Sequence, residues 1–411
     1  MTFHKGGFHP AAPVLLPAVP VGLHRVLDLV VSGEATSRAE IARRSGLARS
    51  TVGQQVAHLV GHGILEEIES GESVRGRPPR VLTLSPRAGT IAVADVDTLA
   101  SRVAIADLTG RLLAEDTVHV RLDSGPETVL ERVSERLLGL LEKAGRDPRR
   151  VRQVVMGLPG PVDFQRGCAV RPTGMPGWDA YPAAEALGAR FRAPVLVDND
   201  ANLMALGEAV QDEVDTPLLC LKIAAGIGAG LVTASGDIYR GADGAEGDVG
   251  HIRAVDGGDA LCTCGNVGCV RGIASHRAVL RTLGIPETTD DDPRHGEREL
   301  AERITDNDPA AVHALRQAAT AIGELAAMLV VMYNPRTLVL GGPLSDLRDD
   351  LLSGVRAVVY QRALPLTTRK LTITTTRPDG TSAIRGGIAL ALRGVFSEQG
   401  IARLLVDDRE G

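Results

Sequence analysis

Three strand-like runs, a helix and one more strand follow one another twice along this chain, and that duplication constrains the fold more than any single motif. The first series reads "TIAVADV", "SRVAIADLTG" and "RLLAEDTVHV", then a helical stretch from Pro126 to about Ala144, then "VRQVVMG". The second begins at "PLLCLKIA", runs through "IGAGLVTA" and "DIYRG", and reaches a long helix from about Pro309 to Tyr333 and the strand "TLVLGG". Each unit has a sheet face to cover and a helix to cover it, so its repetition predicts two facing α/β lobes with a cleft between them. A last apolar helix, "SAIRGGIALALRGVF", is expected to return to the first lobe. At 411 residues the chain is long enough for two or three domains with their own cores. Aromatic residues make up only 2%, so those cores must rest on Val, Leu, Ile and Ala.

The first ninety residues follow a different pattern. A Pro-rich stretch, 1–20, reads as a flexible arm. Leu23, Val26, Leu27, Val30 and Val31 then fall at the spacing of an amphipathic helix that Gly33 ends. "SRAE", Ser37 to Glu40, has the form of a capping box and opens a short helix that stops at Gly46. In "RSTVGQQVAHLVGHGIL", Val52, Val56, Leu59 and Val60 share one face, while Ser50, Thr51, Gln54 and His58 point away and Gln55 sits at the edge. Two helices joined by a Gly-containing turn, the second with small polar groups outward, predict a helix-turn-helix. "ILEEIES", the turn "GESVRGRPP" and "RVLTL" add a hairpin, hence a winged form, with Arg75, Arg77 and Arg80 about its tip. The stiff Gly76-Arg77-Pro78 tripeptide suits a minor groove. Arg49, Ser50, Thr51, Gln54 and Gln55 are the candidates for DNA contact, Gln being able to bond adenine in two places. The alternative is a protein-docking module with solvated arginines.

Charge agrees with a local reader. The net charge of -6 argues against wholesale coating of nucleic acid, yet from Ser37 to Gly63 four arginines (Arg38, Arg43, Arg44, Arg49) face one Glu40. No apolar run approaches the roughly 20 residues of a membrane span, and the start lacks the layout of a secretory signal. A cytoplasmic protein without a membrane partner is expected. Three of five cysteines crowd into "CTCGNVGC". An odd, clustered set does not suit a secreted disulfide framework, so Cys262, Cys264 and Cys269 read as thiolates on a tetrahedral metal, with Gly265 and Gly268 letting the backbone fold tightly. Three buried free thiols are the alternative. Cys168 and Cys220 read as small core residues, and Trp178 as packing in the cleft wall.

The winged helix, the duplicated lobes and the segments "GLPGPV", "DNDANLMALGE", "GDVGHI" and "CTCGNVGCV" make the chain similar to the ROK family (repressor, open reading frame, kinase) over nearly its whole length. The resemblance implies an α/β protein in which a winged helix-turn-helix at 21–86 precedes a two-lobed actin-like domain, a duplicated ribonuclease H-like fold, at 87–397. Lobe 1 is expected at about 87–205 plus 383–397, lobe 2 at about 206–382, and a tail at 398–411. It also implies a structural zinc with His251 as its fourth ligand, and a sugar cleft that includes Gly160, Asn199 and Asp200.

In the sugar kinases of that family the base is the aspartate of an Asn-Asp-Ala-Asn motif, here Asn199 to Asn202, so Asp200 is the matched position; alternatively it merely caps the following helix. The phosphate loops depart from the pattern. The family's Asp-x-Gly-Gly-Thr is "DVDTL", Asp95 to Leu99, and its Gly-Thr-Gly-Ile-Gly is Ala224 to Gly228. Asp97 would put a carboxylate beside phosphate oxygens, a repulsion of about 4 kcal/mol at roughly 4 Å and an effective dielectric of about 20. Catalysis is therefore expected to be lost. Two family glutamates that bind sugar hydroxyls are replaced by Arg271 and Asp248. A donor-only fork inverts the hydrogen bonding at that end of the pocket and favours an anionic effector, most simply a sugar phosphate, unless Arg271 pairs with Asp248 or swings away. The expectation is a sugar-responsive transcriptional regulator, a repressor of carbohydrate or amino-sugar genes that binds a double-stranded operator as a homodimer or homotetramer. The competing reading is an ATP-dependent sugar kinase with an appended DNA-binding module.

Overall fold

The computed structural model of the protein describes residues 19–69, 80–211, 213–289, 292, 294–345, 347 and 349–406. They form two compact units, one holding the residues up to Ala88 and those from Arg393 on, the other Gly89–Leu392.

In the first unit, helices α1 (Leu23–Val31), α2 (Arg38–Ser45) and α3 (Arg49–Gly61) precede an antiparallel hairpin of β1 (Leu65–Glu69) and β2 (Arg80–Leu84). The capping box forms: Ser37 Oγ accepts the Glu40 N–H at 3.3 Å, and Glu40 Oε2 reaches back to the Thr36 N–H at 3.0 Å. Gly46, at φ +72°, ends α2 in the left-handed conformation that permits a tight turn into α3. Val52, Val56 and Leu59 are buried as the periodicity requires, but Val60 and Val31 are exposed, and Leu29 takes the buried place expected of Val31. An apolar stripe on so short a helix spans about 100°, and the last residue of each run falls outside it. Arg75 and Arg77 lie outside the described residues. The stretch expected as a tail instead carries a helix, α14 (Glu398–Val406), with Ile401, Ala402, Leu404 and Leu405 buried; these apolar positions at i, i+1, i+3 and i+4 give it a face to bury.

The second unit contains both sheets. Strands β3 (Thr90–Val96), β4 (Ser101–Asp107) and β5 (Leu112–Val118) form an antiparallel meander, α4 (Pro126–Lys143) covers it, and β6 (Val151–Leu158) pairs parallel with β3. A two-residue ribbon, β7 (Val162–Asp163) with β8 (Cys168–Ala169), and α5 (Ala183–Phe191) lead to β9 (Val195–Asn199), giving the order β5-β4-β3-β6-β9. Every residue of β6 is buried, as a central strand covered on both faces requires. Helix α6 (Asp200–Ala209) connects to β10 (Leu218–Ile223) and β11 (Ile227–Val232). After α7 (Val270–Ala274), α8 (His276–Thr282), α9 (His295–Thr305) and α10 (Pro309–Tyr333), β12 (Thr337–Gly341), α11 (Asp349–Arg362), α12 (Pro365–Thr368) and β13 (Thr372–Thr375) complete a second sheet ordered β11-β10-β12-β13.

The duplication is therefore real, with one correction. "DIYRG" is not a strand: it contributes a single bridge, Ile238 to Val232, before Arg240 turns away to bond Asp198 and glycines at positive φ carry the chain onward. Helix α10 is long and apolar enough to cross a membrane by length and composition, yet much of it lies in the lobe-2 core, where Ala311, Leu315, Ile322, Ala326 and Val330 are buried. Helix α13 (Ser382–Val395) crosses α6 at Gly207 and Gly386, where any Cβ would collide with the facing backbone. Cys168, Cys220 and Trp178 are buried, and the Trp178 Nε1–H donates to Leu122 O at 3.1 Å.

Candidate functional site

The cleft lies at the carboxyl ends of β3, β6, β9 and β10, the place where parallel α/β sheets bind ligands. Those ends bring Asp97 and Thr98, Pro159 and Gly160, Asn199 and Asp200, and Lys222 around a cavity of about 110 Å³. Asp248, His251, Arg271 and Arg277 line it from the second lobe, as does the Ala224–Gly228 loop. The expected ligand-binding residues Gly160, Asn199, Asp200, Asp248, His251 and Arg271 thus share one cavity.

Asn199, not Asp200, is the N-cap of α6: its Oδ1 accepts the N–H groups of Ala201 and Asn202 at 2.8 and 3.4 Å, and its Nδ2 donates to Gly160 O at 2.8 Å. Asp200 accepts the Ala201 N–H on Oδ1 and keeps Oδ2 for a partner the sequence reading passed over. Lys222, at the end of β10, donates to Asp200 Oδ2 at 2.6 Å and to Asp97 Oδ2 at 2.9 Å. Its side chain is 8% exposed. Burial works against the Lys222 charge, but the carboxylates of Asp200, Asp97 and Asp95 outweigh it and hold its pKa well above the ordinary value. Burial raises Asp200 despite Lys222. Burial also works to raise Asp97, but the ammonium and the Thr98 N–H leave it below the usual range. Asp95, with Oδ1 unpartnered, is pushed up to about 7 by burial, only partly countered by Lys222. The signal in the sequence was a lone lysine inside an apolar strand, "LLCLKI".

A second polar network flanks the first. Arg240 donates twice to the buried Asp198 carboxylate, at 3.0 and 2.6 Å, with its guanidinium 3.9 Å over the Phe164 ring. Asn202 bonds Asp198 and Glu246 at 3.1 and 3.0 Å. The 239–247 loop of lobe 2 is thereby fastened to the end of β9.

The four expected metal ligands converge. One donor atom from each of His251, Cys262, Cys264 and Cys269 lies within 4.8 Å of all the others. A tetrahedral zinc with bonds of about 2.3 Å to sulfur and about 2.0–2.1 Å to nitrogen needs S···S edges near ~3.8 Å and S···N edges near ~3.5 Å. Cys264 and Cys269 sulfurs are 3.8 Å apart, and Cys262 Sγ is 3.5 Å from His251 Nδ1. Gly265 and Gly268, at φ +89° and +75°, allow the turns that return the chain. Cys269 is also the N-cap of α7, so the cluster fixes the helix that carries Arg271. Arg271 makes no ion pair among the described residues. Its Nη1 lies 3.2 Å from His251 Nε2, its guanidinium packs where a Cβ on Gly226 would be 3.4 Å away, and Asp248 is 3.7 Å from the same imidazole nitrogen. Burial lowers the His251 pKa, Asp248 opposes this and Arg271 adds to it.

On the winged helix-turn-helix, Arg49, Ser50 and Gln54 are exposed along α3, and Thr51 is half-buried. Gln55 is half-buried and donates to Val21 O at 3.4 Å, which holds it back toward the unit's own backbone. Arg80 is exposed and paired with Glu67 at 3.2 Å, a carboxylate that Arg38 also contacts.

Fold and cleft together define an actin-like, two-lobed protein that carries a winged helix-turn-helix. The ROK family model matches residues 95–393, and the IclR helix-turn-helix domain model matches 24–69. The chain belongs to the ROK family. It is 29% identical over 350 residues, 82% of its length and 87% of the relative's, to a putative xylose repressor of Caldicellulosiruptor sp. (strain Rt8B.4). A crystal structure of a ROK family transcriptional regulator, a homologue of the Escherichia coli MLC protein, superposes with TM-score 0.75 at 22% identity over 94% of this chain and 98% of that one. A ROK family glucokinase from Streptomyces griseus, in complex with glucose and AMPPNP, covers 74% of this chain and 100% of its own at 25% identity and TM-score 0.64.

Proposed function

We propose that this protein is a sugar-responsive, DNA-binding transcriptional repressor of carbohydrate or amino-sugar genes in which the kinase chemistry of the fold has been given up. The observation that carries the second half is the Asp97–Lys222–Asp200 chain. Asp97 stands in the first phosphate loop and its carboxylate already accepts the Thr98 N–H at 2.6 Å, so that amide is turned inward and not toward a nucleotide. Asp200, the matched kinase base, is tied to an ammonium at 2.6 Å and is poorly placed to take a hydroxyl proton. A sugar can still occupy the cleft, and its binding biases the lobe arrangement by the difference in its affinity for the two states.

Zinc is the metal that suits the three thiolates and one imidazole; with all four positions filled by protein it is structural, bracing α7 and Arg271. His251 directs Nδ1 at the metal position, so the neutral ring carries its proton on Nε2. That proton meets the Arg271 fork 3.2 Å away while Asp248 stands off at 3.7 Å, so the two donors call for an acceptor beside them that both can reach. A phosphate or carboxylate oxygen meets that need best, which favours a sugar phosphate as effector. The relative's name makes D-xylose the first neutral sugar to compare. Exposed Met328, Val331 and Met332 on α10, with Leu364 and Leu366 at α12, give lobe 2 an apolar face for a homodimer or homotetramer, and paired readers would match a repeated operator. Arg49, Ser50, Thr51 and Gln54 contact DNA from α3, assisted by Gln55, by Arg80 and by Arg75 and Arg77, which lie outside the described residues. The protein works in the cytoplasm with no membrane partner. Incubation of the purified protein with ATP, magnesium and a panel of sugars tests the loss of catalysis: no phosphosugar is expected, and transfer to any sugar overturns it.

A further inference from the structure

Lys222 is the only buried lysine among the described residues, and its position is not explained by packing. Burying an ammonium is costly unless charge and hydrogen bonds compensate it. Here the compensation comes from across the cleft: Lys222 sits on β10 of the second sheet, while Asp95 and Asp97 belong to β3 and the turn after it, and Asp200 begins α6 directly after β9. We propose that Lys222 is the positioning residue of the effector site: it holds Asp200 ionised and fixed in the cleft wall, and by bonding Asp97 as well it joins the two lobes into one floor without a metal ion or nucleotide. The inference rests on the reading that the effector touches Asp200.

The charged groups around Lys222 allow little else. Asp95, Asp97 and Asp200 face it, Arg102 on β4 lies beside Asp95, and Cys220 on its own strand is kept neutral by burial. Removing the ammonium would leave three carboxylates around the buried end of Asp200 with no cation between them, and like charges that close disfavour one another's ionised forms. Asp200, already raised by burial, would lose the ammonium that opposes that rise and would be a poorer ionised acceptor for a sugar hydroxyl.

The test is calorimetric titration of the full-length protein with D-xylose and with glucose 6-phosphate between about pH 6 and about pH 8.5. Four proteins are compared: wild type, Lys222→Met, Asp200→Asn and the double variant, each checked for fold by circular dichroism. Wild-type affinity should change less across the range than that of Lys222→Met. Lys222→Met should lose about tenfold or more at the acid end and recover part of it as pH rises, and the double variant should be no weaker than Asp200→Asn alone. Wild-type affinity with the wild-type profile in Lys222→Met, or a further tenfold loss when Lys222→Met is added to Asp200→Asn, overturns the proposal. Should Lys222→Met not fold, the comparison of the double variant with Asp200→Asn decides, since that pair removes both charges together. If Asp200→Asn itself binds as wild type, the contact between effector and Asp200 is wrong and the role given to Lys222 falls with it.

Discussion

Replacing Arg271 by glutamate should reverse the charge preference of the cleft. Arg271 is held on α7 behind the cysteine cluster and stacked on Gly226, with Nη1 3.2 Å from His251 Nε2, so a substitution there changes the chemistry of the pocket wall more than its shape. A charge-assisted hydrogen bond to an anionic ligand contributes about 1.5–3 kcal/mol. A carboxylate in its place forfeits that and adds a repulsion of up to about 4 kcal/mol at roughly 4 Å and an effective dielectric of about 20, reduced further where the cleft opens to water. The ratio of glucose 6-phosphate to glucose affinity should therefore fall by about 10²–10³ in Arg271→Glu. Isothermal titration of both ligands against both proteins, with metal content measured in parallel, reads that ratio directly. A ratio unchanged within about threefold would mean that Arg271 does not meet the ligand's charge, and the anionic effector would have to be abandoned.

Mass spectrometry of metals should find about one zinc per chain, lost in Cys269→Ser together with sugar binding; burial pushes the Cys269 thiol up to about 12 before metallation, so metal uptake should release protons and weaken as pH falls. On the DNA side, Gln54→Ala should cost about 1–3 kcal/mol at one base position, whereas Arg49→Ala should weaken all sequences alike and lower the salt slope by about one, both read by fluorescence anisotropy. Asp95 has a folded pKa of about 7, above its ordinary 3.8, so the folded state holds an extra proton between those values and stability falls as pH rises through that window. Asp95→Asn should raise the melting temperature at pH values above about 7 and lose that advantage toward pH ~4; equal melting curves at both ends would contradict a carboxyl whose buried Oδ1 has no partner.

The parts of this molecule that were legible in its sequence are those whose chemistry is local. The capping box, the glycine that ends α2, and the C-x-C-G-x-x-G-C spacing each specify their structure within a few residues, and the alternation of apolar runs revealed both lobes. What escaped was set by contacts across the chain. Val195–Asn199 and Thr372–Thr375 are short, weakly patterned runs that become strands only because β6 and β12 offer them an edge. "DIYRG" has the composition of a strand, yet Arg240 leaves the sheet for Asp198, 42 residues earlier. Lys222, a lone cation in an apolar strand, went unrecognised because its partners lie 22 and 125 residues away. Asn199 and Asp200 could not be told apart as caps until the direction of each carboxyl and amide oxygen was known.

The most direct test of a sugar cleft that governs a DNA reader is the affinity of the full-length protein for duplexes from the control region of its own gene, with and without saturating sugar or sugar phosphate. A salt-sensitive, sequence-selective complex whose affinity changes at least about tenfold on adding one of these ligands, and which Asp200→Asn renders indifferent to it, is the result expected. Binding that no sugar alters, or no selective binding to any of those duplexes, would contradict it.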